Sequence, residues 1–183
     1  DTKDINLKYW YITPTVYNGQ WQYYSNKNLD DLYISKADIT LQFECPRNYQ
    51  LISELNTLDT QQSKDRQVFF LHGKNRVNTH LILTKYSEFK FVQTDDFTVY
   101  SDLPSTDIPP EEKAIITDKI TRFITAHLGD YPHERLLITK QDYKKDPLYG
   151  LNQLPAFIRP FPDNFQYELK LLKTVLNNYL ENT

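Results

Sequence analysis

A chain of 183 residues suits one domain of ordinary size, or a smaller one with part of a second. Its 21 basic and 24 acidic residues nearly balance, so no net positive field points to nucleic acid, and no apolar run reaches the length of a membrane span. The hydrophobic fraction of 39% is modest, but 14 Tyr and 10 Phe supply enough apolar area for a core and argue against disorder.

The elements follow in chain order. Leu7–Pro14 reads as a strand that Pro14 ends, and Asn18-Gly19 between aromatic residues marks a hairpin turn. Ala37–Phe43 alternates, with Ile39, Leu41 and Phe43 on one face, and predicts a half-buried strand closing at Cys45-Pro46. Leu51, Ile52, Leu55 and Leu58 fit either a strand edge or a short helical turn, and Asp59–Asp65 reads as a polar turn. Gln67–Leu71 and Val77–Thr84 are expected as strands around a turn at His72-Gly73-Lys74-Asn75, followed by strands over Glu88–Gln93 and Phe97–Tyr100. Short strands joined by short turns predict a mostly antiparallel domain.

Composition changes at Ser101–Pro110, which holds three of the ten prolines and reads as a boundary. Pro110-Glu111-Glu112 opens a helix whose buried stripe is expected at Ile116, Ile120, Phe123, Ile124 and His127, with Gly129 just past its end. Leu136–Thr139 is a short strand. A final helix starts at Asp163 or Asn164 and carries apolar residues over more than one stripe, which predicts a place inside a larger domain. The absence of Met, including at position 1, predicts a start processed or cut from a longer protein, and the last helix predicts partners after Thr183.

Few residues offer chemistry. Each of His72, His80, His127 and His133 is expected to make local hydrogen bonds; His72 and His80 alone are placed to approach one another as a metal pair. Cys45 excludes an internal disulfide and reads as a buried structural thiol. There is no Gly-x-Ser-x-Gly elbow and no phosphate-binding glycine loop. Tyr143, Tyr149, Phe157, Phe161 and Phe165 crowd around a Gly-Leu-Asn-Gln-Leu-Pro segment, and either line a groove beside a strand edge or pack a core.

Trp10-Tyr11 with Pro14, Gly19 with Trp21, and the Ala37-Asp38 strand ending at Pro46 together give a layout that resembles the gluzincin aminopeptidase family (the aminopeptidase N type). More narrowly, it resembles the divergent peptidase-like proteins of Bacteroidetes. The resemblance implies an α+β chain: a saddle-like, mostly antiparallel β domain over residues 1–104, then the opening α/β part of a thermolysin-like peptidase domain over 105–183. It also suggests an extracytoplasmic or cell-envelope home, with a cytoplasmic one left open. The family's Gly-x-Met-Glu-Asn segment, which holds the substrate's amino terminus, matches Gly150, Leu151, Asn152, Gln153 and Leu154, with Tyr149 beside it. Gln153 stands in the place of the amine-binding Glu, and a neutral amide cannot neutralise an ammonium. The alternative is a tight turn at Gly150 with Asn152 and Gln153 serving local backbone groups.

The family's zinc motif, His-Glu-x-x-His, matches Tyr167-Glu168-Leu169-Lys170-Leu171. Two imidazoles four apart clasp the metal and the Glu activates water. Here Glu168 alone remains, as a surviving catalytic acid or as an ordinary helix acid. The resemblance therefore implies no cofactor in this segment, with zinc held, if at all, by residues outside it. Its partners would be a peptide or protein and the remaining C-terminal part of its own chain.

Overall fold

The structure is a computed structural model and describes residues 4–8, 10–22, 34–103, 108–140 and 163–182. The chain forms two compact units, Asp1–Ser87 and Glu88–Thr183. The division falls ahead of the proline-rich stretch at which composition changes.

The first unit holds two antiparallel sheets. One has the order β1-β6-β3, from β1 (Ile5–Leu7), β3 (Gln50–Ser53) and β6 (Leu81–Thr84). The other has the order β2-β5-β4, from β2 (Ala37–Pro46), β4 (Asn56–Gln62) and β5 (Arg66–Arg76). Strand β2 keeps the expected alternation: Ile39, Leu41, Phe43 and Cys45 turn inward and their neighbours outward. Leu55, Leu71 and Leu81 form the core, with Leu41, Phe43, Leu51 and Phe69 packed against it. Both sheets contribute to that cluster.

Three expectations are corrected here. No strand runs from Leu7 to Pro14 among the described residues; the strand lies earlier, at Ile5–Leu7, where Leu81–Leu83 offers it a partner. His72-Gly73-Lys74-Asn75 is not a turn. It continues β5, because β2 stays paired with that strand at Gly73 and again at Arg76, while β4 accompanies it as far as His72. The polar run Asp59–Gln62 is strand because β5 pairs with it from one side, with its side chains exposed on the sheet edge. Gly73 is required in its place: a Cβ there would lie 2.5 Å from Leu55 Cδ2. The hairpin at Asn18-Gly19 is present as a single bridge between Tyr17 and Trp21, with Gly19 at φ 73° and the two rings 5.1 Å apart.

In the second unit, β7 (Lys90–Gln93) pairs antiparallel with β8 (Thr98–Ser101), and β8 pairs parallel with β9 (Arg135–Ile138). A parallel pair needs a crossover, and α1 (Pro110–Leu128) lies in it. Glu111 and Glu112 sit in the first turn of α1 and suit the positive end of the helix dipole. The helix ends at Gly129, whose φ of 92° only glycine adopts freely and whose N–H reaches the Thr125 carbonyl at 2.9 Å. The final helix, α2 (Asp163–Asn182), packs on α1 and β9. The whole is a mixed α+β arrangement, antiparallel sheets first and a helical stretch after.

The stripe of α1 also differs from expectation. Ile116, Thr117, Ile120, Thr121 and Ile124 are buried, whereas Phe123 and His127 are exposed and stack on one another at 4.2 Å. The His127 Nδ1–H donates to the Phe123 carbonyl at 2.7 Å, one turn back. Position alone decides this: 123 and 127 lie beside the 116–120–124 line, not on it. Likewise α2 buries one stripe, Tyr167, Leu171, Thr174, Val175 and Tyr179, and leaves Leu180 in solvent. It is amphipathic, not apolar around its girth.

Candidate functional site

The residue with the strongest claim to chemistry, Glu168, sits in the second turn of α2. Its neighbours on either side define what it can do. Tyr167 and Leu171 belong to the core with Ile116, Ile120, Ile124, Val175 and Tyr179. Leu171 is 1% exposed. The Lys113 ammonium lies over the Tyr167 ring, 5.8 Å from its centre. Glu168, one residue round from Tyr167, reaches the rim between the helices, and its Oε1 accepts from Lys119 Nζ at 2.5 Å.

A zinc of the His-Glu-x-x-His kind does not fit here. The two positions that would supply imidazoles hold a core phenol and a core leucine, and neither offers a metal a usable donor. Among the described residues no group of three or more His, Cys, Asp or Glu is placed to hold a metal ion. Glu168 has a cation as its partner instead.

Tyr149, Gly150, Leu151, Asn152 and Gln153 lie outside the described residues, as do Tyr143, Phe157 and Phe161. The chain enters that segment from the end of β9, where Asp102 Oδ1 accepts the Lys140 N–H at 2.6 Å and Lys140 Nζ also pairs with Glu88. Partial burial pushes the Asp102 carboxyl up, against the pull of Lys140.

The four histidines go separate ways. His72, on β5, takes Thr40 Oγ1 at 3.3 Å across the strand pair. His80 bonds Asn6 through its ring. His133 is buried with its ring edge-on to Tyr131 at 5.4 Å. Cys45 is buried beside Gln67, and burial pushes its thiol up, away from nucleophilic use.

One polar cluster gave no sequence signal. Glu54 belongs to the β3–β4 connection. Its Oε1 accepts the His80 N–H at 2.8 Å, while the Arg76 guanidinium donates to the Glu54 main-chain carbonyl at 3.1 Å. Asn6, Glu54 and the Arg76/His80 stretch are far apart in sequence, so only the fold assembles them.

The sequence matches no family model and no curated protein. Among solved structures it is similar to a two-domain M1 zinc metallopeptidase mutant bound to L-arginine, at 18% identity and a TM-score of 0.37. The match covers 57% of this chain and 26% of that one. A likeness of that degree fixes neither the fold nor the activity of this chain.

Proposed function

We propose that this chain is part of a peptidase-like protein of the gluzincin aminopeptidase type, lacking ordinary zinc-dependent catalysis in this segment and serving as a peptide- or partner-binding scaffold. The sequence resemblance supplies the family, and with it a saddle-like β domain ahead of a thermolysin-like one. The observation that carries the scaffold reading is the packing of α2: Tyr167 and Leu171 stand where imidazoles would be needed, and both are spent on the core. Glu168 then serves as the partner of Lys119, joining two helices. Gly150, Leu151, Asn152 and Gln153, with Tyr149, are the proposed substrate edge. Gln153 there favours a peptide backbone over a charged amino terminus. An extracytoplasmic or cell-envelope setting, a peptide or protein partner, and docking to the remaining C-terminal part of the chain belong to the same reading.

The alternative is the substrate-binding portion of an active zinc metallopeptidase whose ligands lie outside this chain. Elemental analysis of the full-length protein, purified without chelator beside the 183-residue piece, separates the two. Neither holding stoichiometric zinc supports the scaffold. Zinc with peptide hydrolysis in the full-length protein alone overturns it in favour of the alternative. Zinc in the piece itself overturns both.

A further inference from the structure

The Glu54 cluster draws on four places in the first unit. Asn6 comes from β1, Glu54 from the β3–β4 connection, Arg76 from the end of β5, and His80 from the residue before β6. Glu54 as a whole is half-buried, yet its Oε2 is cut off from solvent and has no hydrogen-bond partner among the described residues. Its Oε1 is held by the His80 N–H at 2.8 Å. The ring of the same His80 bonds the side chain of Asn6, and β1 pairs with β6 through Ile5↔Leu83, Asn6↔Ile82 and Leu7↔Leu81. The carboxyl therefore sits one residue away from the anchor of a three-residue edge strand.

We propose that Glu54 is a proton-operated latch on the N-terminal strand: β1 stays paired with β6 while the carboxyl is protonated, and is released when it ionises. A buried carboxylate oxygen without a donor is costly, and a short edge strand is the cheapest element to surrender. Solvating the carboxylate requires opening the corner at His80, which carries the Asn6 anchor with it. Release of β1 turns β6 from a central strand into an edge, open to pairing. The groups facing the carboxyl are Arg76 from β5, Lys8 just past β1, Tyr11, and His80 through its N–H. Burial is the largest influence on the carboxyl and pushes it up to about 7, against the His80 N–H and the charges of Arg76 and Lys8, which pull it down. The latch is independent of the peptidase reading.

Amide exchange of β1, corrected for the intrinsic pH dependence of exchange, tests it. The amides of Thr98–Ser101 in the second unit serve as the control. Opening of β1 is expected to rise on the order of a hundredfold between about pH 5 and 8, with the control flat and Glu54→Gln abolishing the rise. A flat wild-type profile overturns the latch. A rise that persists in Glu54→Gln and vanishes in His80→Gln also overturns it, since the imidazole is then the titrating group. A carbon NMR titration of the Glu54 carboxyl in the wild-type chain needs no variant, and a midpoint below about 5 overturns it as well.

Discussion

Lys119 Nζ and Glu168 Oε1 lie 2.5 Å apart and tie the middle of α1 to α2, so the acid that sequence alone offers as a catalyst is the anionic half of an interhelical ion pair. The Lys119 side chain is 70% exposed and that of Glu168 31%. Water screens such a pair strongly, and it fixes helix register more than it adds stability.

Glu168→Gln is therefore expected to lower the unfolding free energy by no more than about 1 kcal/mol, read by chemical denaturation. Any peptidase activity of the full-length protein is expected to stay within about twofold. A fall of a hundredfold or more would make Glu168 a catalyst after all.

Leu171→Ala is expected to cost about 2–5 kcal/mol, since the site is packed on all sides and a truncated leucine leaves a cavity. Leu171→His, offered as a zinc ligand, is expected to destabilise comparably and to gain no zinc. Recovery of stoichiometric metal in Tyr167→His/Leu171→His by elemental analysis would contradict the packing argument.

Tyr179→Phe removes the hydroxyl that donates to the Gly129 carbonyl while keeping the ring against Tyr131 at 5.5 Å. The expected loss is about 1 kcal/mol. Tyr179→Ala, which also empties the ring's place, is expected to cost about 3–5 kcal/mol. Thermal unfolding of the two variants separates the hydrogen bond from the packing.

Stability of the first unit is expected to fall as pH rises. Glu54 holds its proton in the folded state up to about 7, against an ordinary value of 4.5. Between those values the folded chain is protonated there and the unfolded chain is not, so the stabilisation is complete below 4.5 and lost by the time pH passes 7. The full effect is roughly 3 kcal/mol. Denaturation of wild type and Glu54→Gln at pH 4 and pH 8 reads it: the variant should lack this slope.

Gly73→Ala is expected to destabilise by about 1–3 kcal/mol, because the added methyl meets a leucine that is itself fully buried. Pairing it with Leu55→Ala should relieve the close contact while adding a cavity cost, so the double variant is expected to cost less than the sum.

The sequence by itself determined elements whose signals are local. Alternation placed β2 and its inward face, Pro110 with two acids placed the start of α1, and Gly129 placed its end, since each rests on the stereochemistry of neighbouring residues. Tertiary structure decided the rest. β5 runs on past His72 because β2, distant in sequence, stays paired with it at Gly73 and Arg76, which the local Gly-Lys-Asn signal does not reveal. The face of α2 that is buried, and hence the fate of Tyr167, Glu168 and Leu171, depends on where α1 lies against it. Glu54 reads as one more surface acid until the fold carries Asn6, Arg76 and His80 to it, because burial of a charge is a property of the assembled chain and not of any stretch within it.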